Sequence, residues 1–171
     1  MYLLLSADQL IVDPTEETIT IRPLVASVDE VSSLMASSIR ATYPDDIVDV
    51  IVAHSADQER VARNMTTRTW FEARLGAGVL VGVGAVHLTD ASTAYLSSHN
   101  VVFRRHGIGK RLTAARLDWA RAQGATTAVA TTHPWNTASL ANLASFGFQV
   151  VSESDDLWSP PGKLLELHAP L

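Results

Sequence analysis

The chain has 171 residues, 47% hydrophobic and 18% charged, a length and balance that suit one globular domain with its own core rather than a disordered polymer. Its formal net charge of −5 argues against a general nucleic-acid binder, which needs a broad basic face to neutralise phosphates. With no cysteine, thiol catalysis, disulfides and cysteine-ligated metals are excluded together.

Met1-Tyr2-Leu3-Leu4-Leu5 is apolar but has no cationic lead and is cut short by Ser6, Asp8 and Gln9. It therefore reads as neither signal peptide nor membrane span, and a cytoplasmic protein with no membrane partner is expected. Residues 1–17 precede the first clear strand and read as an arm or an extra strand. Residues 18–24 alternate β-formers up to Pro23, a strand running into a loop. Ser27 and Glu30 then have capping-box spacing, Val31, Leu34, Met35 and Ile39 follow at helical period, and Pro44 stops the helix. A second helix is expected within residues 45–64, broken near His54-Ser55.

Residues 67–75 and 79–88 read as strands joined across Gly76-Ala77-Gly78, and residues 94–103 as a fourth strand. From Gly107 the stripe Ile108, Leu112, Ala115, Trp119, Ala122 keeps helical period until Gly124. A fifth strand over 126–132 is followed by Asn136, a good N-cap for a short helix carrying Leu140 and Leu143 that Gly147 closes. Residues 148–153 and 163–168 complete the pattern, linked through Ser159-Pro160-Pro161-Gly162. The apolar end, residues 164–171, fits an internal strand or the edge of a homodimer equally well.

The densest signal is Arg104-Arg105-His106-Gly107-Ile108-Gly109-Lys110, two glycines and a cluster of cations between an apolar strand and an amphipathic helix, with Arg111 next. Glycines let backbone approach a ligand closely, and the first-turn amides of the helix point at it, so the stretch suits an anion such as a pyrophosphate. Arg104, Gly107 and Gly109 match Arg/Gln-x-x-Gly-x-Gly/Ala, and Asn136 stands eleven residues before Gly147-Phe148. In these features, over residues 95–150, the chain resembles the GNAT superfamily of acyl-CoA-dependent N-acyltransferases. The resemblance implies an α/β fold, a mixed sheet of about six to seven strands flanked by about four helices. It also implies that the fourth and fifth strands splay apart to admit a pantetheine arm, here between residues 97–101 and 131–133. Acetyl-CoA is the implied co-substrate and an amine, on a small molecule or a peptide, the implied acceptor, with the variable helical region on the acceptor side; Asp45, Asp46 and Asp49 in that region suit a solvated helix N-terminus first and a cationic acceptor second.

Acyl transfer to an amine needs a neutral amine, donors for the developing oxyanion and a proton for the departing thiolate. Backbone amides along the splayed strand, including His99, Asn100 and Val101, serve the second need. The resemblance assigns the pyrophosphate to residues 105–110 with Arg104 and Arg111, and sets Asn136 and Ser139 near the pantetheine. Relatives commonly carry Tyr seven residues after this Asn, where the chain has Leu143, and Pro where it has Val101. His133, on the strand face of Thr131, is the first candidate for proton handling and His99 the second. His54, His87, His106 and His168 have no metal-ligand spacing, so no metal is expected. The rivals are a CoA-binding module with lost or altered chemistry, which Leu143 suggests, and an unrelated nucleotide binder, disfavoured because the loop lacks Gly-Lys-Ser/Thr.

Overall fold

A computed structural model describes residues 19–76, 78–103, 105–156 and 162–171. The arm at 1–17, Ala77, Arg104, and residues 157–161 of the last connection lie outside them.

The elements follow in the order β1 (Ile19–Pro23), α1 (Val28–Arg40), α2 (Val48–Ser55), α3 (Gln58–Thr67), β2 (Thr69–Leu75), β3 (Val79–Leu88), β4 (Thr93–Val101), α4 (Ile108–Ala122), β5 (Thr127–Thr132), α5 (Thr137–Ala144), β6 (Gln149–Asp155) and β7 (Lys163–Pro170). The break near His54-Ser55 is the junction of α2 and α3, where Asp57 caps the second piece by accepting from the Arg60 amide at 2.8 Å. That break gives five helices where about four are expected from the pattern. The sheet has seven strands in the order β1-β2-β3-β4-β5-β7-β6, and every neighbouring pair is antiparallel except β4 with β5. β7 is thus flanked on both sides, so the apolar end of the chain is an internal strand.

Two layers cover the sheet. On one face α1, α2 and α3 bury Val31, Leu34, Met35, Ile51 and Val61 against Trp70, Val83 and Ala85. On the other, Leu117 and Ala120 of α4 and Leu143 of α5 pack on Val86, Ala94, Leu96, Ala128 and Phe148. The buried face of α4 is Ile108, Leu112, Thr113, Arg116, Leu117 and Ala120. This corrects the stripe through Ala115, Trp119 and Ala122, because a buried arginine interrupts the apolar pattern and hides the true face.

Ser27 and Glu30 make the full capping box of α1. A carboxylate with no exposure, Glu72 of β2, anchors the approach to that helix. Its Oε1 accepts from Arg22 Nε at 2.7 Å and Arg74 Nε at 3.1 Å, and its Oε2 from the amides of Val25 at 3.2 Å and Ala26 at 3.0 Å. Burial pushes the Glu72 carboxyl up, but the bonds from Arg74, Arg22, Val25 and Ala26 outweigh it and hold the group below the usual carboxylate range. Among the described residues no helix is long and apolar enough to cross a membrane.

Candidate active site

The site begins where two parallel strands part. β4 and β5 pair from Thr93↔Thr127 to Leu96↔Ala130, and past that point β4 runs on to Val101 and β5 to Thr132 without bonding each other. A bulge directs the parting: Ser97 faces Ala85 and Asn100 faces Val83, so Ser98 and His99 together oppose Gly84. Ser98 takes a φ of 51°, and an extra residue of this kind bends the strand and sharpens its twist. The split leaves the inner edge of β4 without a β5 partner beyond Leu96.

The same bulge shifts the alternation of side chains along β4. Ala94 and Leu96 point to α4, and Tyr95 and Ser97 to the opposite face, where the Tyr95 hydroxyl lies 2.6 Å from Thr131 Oγ1 and Ser97 Oγ accepts from Arg68 at 2.9 Å. Plain alternation would set His99 beside Tyr95 and Ser97. The bulge turns it instead toward α4, where its Nδ1 lies 2.7 Å from Arg116 Nη2. Burial, then the Arg116 charge, pushes the His99 imidazole down to about 3, so the ring is neutral at pH 7.

At the head of α4 the backbone is shaped for an anion. Arg105 and Gly107 have φ of 68° and 71°, and Gly107 is the N-cap with no side-chain hydrogen bond on the helix start. Intrahelical bonding begins with the Arg111 amide on the Gly107 carbonyl at 3.0 Å, and among the described residues the amides of Gly109 and Lys110 have no carbonyl a turn earlier to receive them. Ile108, 1% exposed, pins this turn to Val81 and Leu112. Arg105, Lys110 and Arg111 stand exposed around it, and His106 is half-buried. An open helix N-terminus ringed by cations, beside a split strand pair, fits the pyrophosphate and pantetheine of a coenzyme A.

Across the mouth of the split lies the end of α1. Ser38 Oγ accepts from the Val101 amide at 3.2 Å and donates to the Val101 carbonyl at 3.3 Å, so this hydroxyl occupies the position that an extended ligand would take on β4. Five residues on, Tyr43 meets the exit of β5. Its ring is edge-on to His133 at 5.6 Å and to Trp135 at 5.0 Å, and those two rings stack at 4.8 Å, 8° from parallel. His133 is 7% exposed, as is Asp156 just past β6. Nδ1 of His133 lies 3.1 Å from the Lys163 carbonyl, which can only accept, so Nδ1 carries a proton. Nε2 faces Asp156 Oδ2 at 3.7 Å. Burial, then the Asp156 charge, raises the Tyr43 phenol above its ordinary value and keeps it protonated.

Asn136 caps α5, its Oδ1 accepting from the Ser139 amide at 3.2 Å. Leu143 is 5% exposed and points into the core with Leu117 and Phe148 rather than toward the split. The structure sets the Gly107 loop at the start of α4, after the end of β4, and the His133 cluster at the exit of β5 against Tyr43, just past α1. It sets His99 and His133 on opposite faces of the sheet, while Arg104 lies outside the described residues. Sequence reasoning missed Ser38, Tyr43, Asp156 and Arg116. Only Arg116 left a trace, a charge one turn beyond Leu112 on an otherwise apolar face. Among the described residues no three His, Cys, Asp or Glu side chains are grouped to hold a metal ion.

The model of the acetyltransferase (GNAT) family matches residues 30–148. Among solved structures, the chain is similar to a GCN5-related N-acetyltransferase from Rhodopseudomonas palustris, with a TM-score of 0.73 and 18% identity over 90% of this chain and 96% of that one. It is similar too to a GNAT family acetyltransferase from Elizabethkingia anophelis with acetyl-CoA bound, at 0.65 and 17% identity over 91% and 99% of the two chains. The PaiA N-acetyltransferase from Thermoplasma acidophilum in complex with coenzyme A gives 0.68 and 16% identity over 86% and 97%. At these identities the likeness is one of fold. No curated protein sequence matches the chain.

Proposed function

The chain belongs to the acetyltransferase (GNAT) family, and from that membership we propose that it transfers an acetyl group from acetyl-CoA to a primary amine by direct attack in a ternary complex. The observation that carries this reading is the coincidence of the split between β4 and β5 with the uncapped, cation-ringed start of α4. The amides of residues 105–110, with Arg111 and Arg104, hold the pyrophosphate. The open backbone of residues 99–101, together with Asn136 and Ser139, lines the pantetheine path, and Ser38 yields the Val101 amide to the incoming arm. Acetyl-CoA supplies the activated acyl group as a thioester. The chain has no cysteine to take that group over, which favours attack by the acceptor itself.

The side chain best placed to take the ammonium proton is His133. Its Nδ1 is held by the Lys163 carbonyl and its Nε2 lies 3.7 Å from Asp156 Oδ2, a carboxylate that stabilises the imidazolium that forms. His99 is neutral and engaged by Arg116, so in this reading it supports the cofactor strand rather than exchanging protons with the acceptor. The setting is the cytoplasm and the acceptor a small amine or a peptide amine. A second reading, a CoA-binding module without turnover, is motivated by Leu143, which fills the core where relatives place a tyrosine.

The test is CoA binding by calorimetry alongside acceptor-dependent thiol release over polyamines, amino acids, aminoglycosides, arylamines and short peptides. Turnover with at least one amine is expected. His133→Ala should lower kcat by about 10²–10⁴-fold with little change in KM for acetyl-CoA. CoA binding with no turnover on any acceptor favours the module, and no CoA binding at all refutes both readings.

A further inference from the structure

A guanidinium is buried behind the bulge of β4 with no carboxylate beside it among the described residues. Arg116, 1% exposed, donates from Nε to the Leu112 carbonyl at 3.2 Å, from Nη1 to the Ser97 carbonyl at 3.3 Å and from Nη2 to Thr113 Oγ1 at 3.0 Å and His99 Nδ1 at 2.7 Å. Each acceptor is neutral, and no ion pair joins Arg116 to an acid among the described residues. Because a guanidinium only donates, His99 Nδ1 holds the lone pair and Nε2 carries the hydrogen. That Nε2 presses on the first turn of α4, where a Cβ built on Gly109 would stand 3.1 Å from it. The guanidinium is admitted beneath the bulge by Gly84, whose Cβ would come within 3.1 to 3.2 Å of Arg116 Nε, Cδ and Cζ. Asn142 of α5 extends the chain of contacts, donating to Thr113 Oγ1 at 2.9 Å, and its own buried Oδ1 has no donor among the described residues.

Among the described residues the surroundings add no compensating anion. β3 presents Gly84 and β4 presents His99 to the guanidinium, and α5 reaches the same network through Asn142. Glu72 lies on the opposite face with Arg22 and Arg74, and Arg68 reaches the far side of β4 at Ser97 Oγ. Arg105, Lys110 and Arg111 add positive charge at the same end of α4. Burial pushes the Arg116 guanidinium down to about 9, so it is charged at pH 7. A buried charge of this kind costs stability unless something pairs it, and an apolar side chain of similar volume would serve the fold better.

The reaction supplies the missing negative charge. When the amine nitrogen bonds to the thioester carbon and the C–S bond breaks, the electron pair stays on sulfur, and Leu143 offers no proton for it. We propose that Arg116 is a positioning residue whose uncompensated charge, set against the β4 bulge at the Ser97 carbonyl and His99, stabilises the CoA sulfur as a departing thiolate. This rests on the acetyltransferase reading. In the balanced step the ammonium proton passes to His133 and on to solvent, and CoA leaves as thiolate to be protonated by water.

The test reads the bound thiol itself. Thiolate absorbance of CoA bound to the full-length protein is followed against pH, using the desulfo-CoA complex as blank, and the affinities of both ligands are measured by calorimetry. The bound thiol is expected to ionise at least one pH unit below free CoA. Arg116→Met should abolish that shift with desulfo-CoA affinity kept within twofold, and Arg116→Lys should retain part of it. A bound thiol that ionises like free CoA, or an Arg116→Met protein with an undiminished shift, overturns the proposal. So does an equal loss of both ligands, which would assign the arginine to the phosphate end. Should Arg116→Met not fold, His99→Leu is read in the same way, with at least half of the shift expected to go. Failure to bind CoA at all would sink the acetyltransferase reading, whereas binding with an unshifted thiol sinks only the role of Arg116.

Discussion

Replacing His99 by Gln should flatten the acid limb of the protein's stability curve. In the native state the imidazole ionises at about 3 against an ordinary value of 6.5, because it is buried and lies 2.7 Å from the Arg116 guanidinium. As pH falls through 6.5 the unfolded chain therefore takes up a proton that the native chain refuses. The stability this neutral ring supports is complete above pH 6.5 and is lost progressively down to about 3. At about 1.4 kcal/mol per pH unit, the interval from 6.5 to 4 amounts to at most about 3 kcal/mol. Gln can still accept from Arg116 through its amide oxygen but cannot be protonated in this range. Urea unfolding at pH 7, 5.5 and 4 on both proteins measures the difference. Glu72 and Glu30, which also lose native bonds in acid, are common to the two chains and cancel. The gap between the two stabilities should change by about 3 kcal/mol in favour of the variant between pH 7 and 4. Parallel curves would show that His99 is not held neutral and would refute the reasoning.

Glu72→Ala removes the acceptor of two arginines and two amides at once, and leaves Arg74 without its buried partner; a loss of about 3–5 kcal/mol is expected, read from the urea midpoint at an unchanged m-value. A loss under about 1 kcal/mol would mean that water replaces those bonds. At Gly107, with φ of 71° and no atom within 4 Å of a built Cβ, the penalty of a side chain is conformational, about 1–2 kcal/mol, and the fold should survive. Gly107→Glu sets a carboxylate where the pyrophosphate is proposed to lie, so calorimetric CoA binding should vanish with the circular dichroism spectrum intact; retained binding would count against the loop.

Much of this arrangement is legible along the chain because it depends on near neighbours. The capping box of Ser27 and Glu30, the cap at Asn136 and the left-handed glycines at 107 and 147 are local devices, each needing only a few residues to specify it. The division of the helical region near His54-Ser55 is similarly local. Glu72, in the strand sequence TWFEARL, gives no sign of its burial, because the amides and arginines that hold it come from residues 22–26 and 74. Arg116 misleads more actively, since a charge on a helix is ordinarily solvated and this one rotates the inferred buried face away from the true one.

By itself the amino-acid sequence determined the order of strands and helices and the position of the glycine-and-cation loop before α4, which follow from backbone preference and periodicity over a handful of residues. The parting of the fourth and fifth strands is an implication of the family resemblance that this loop carries. Only the tertiary structure decided which face His99 occupies. That choice turns on one extra residue in β4, where Ser98 and His99 share the single partner Gly84, and on a glycine small enough to let Arg116 lie behind them. Such a bulge is a property of two strands in register, and the burial of a charge depends on what surrounds it. Neither is written in the residues that display it.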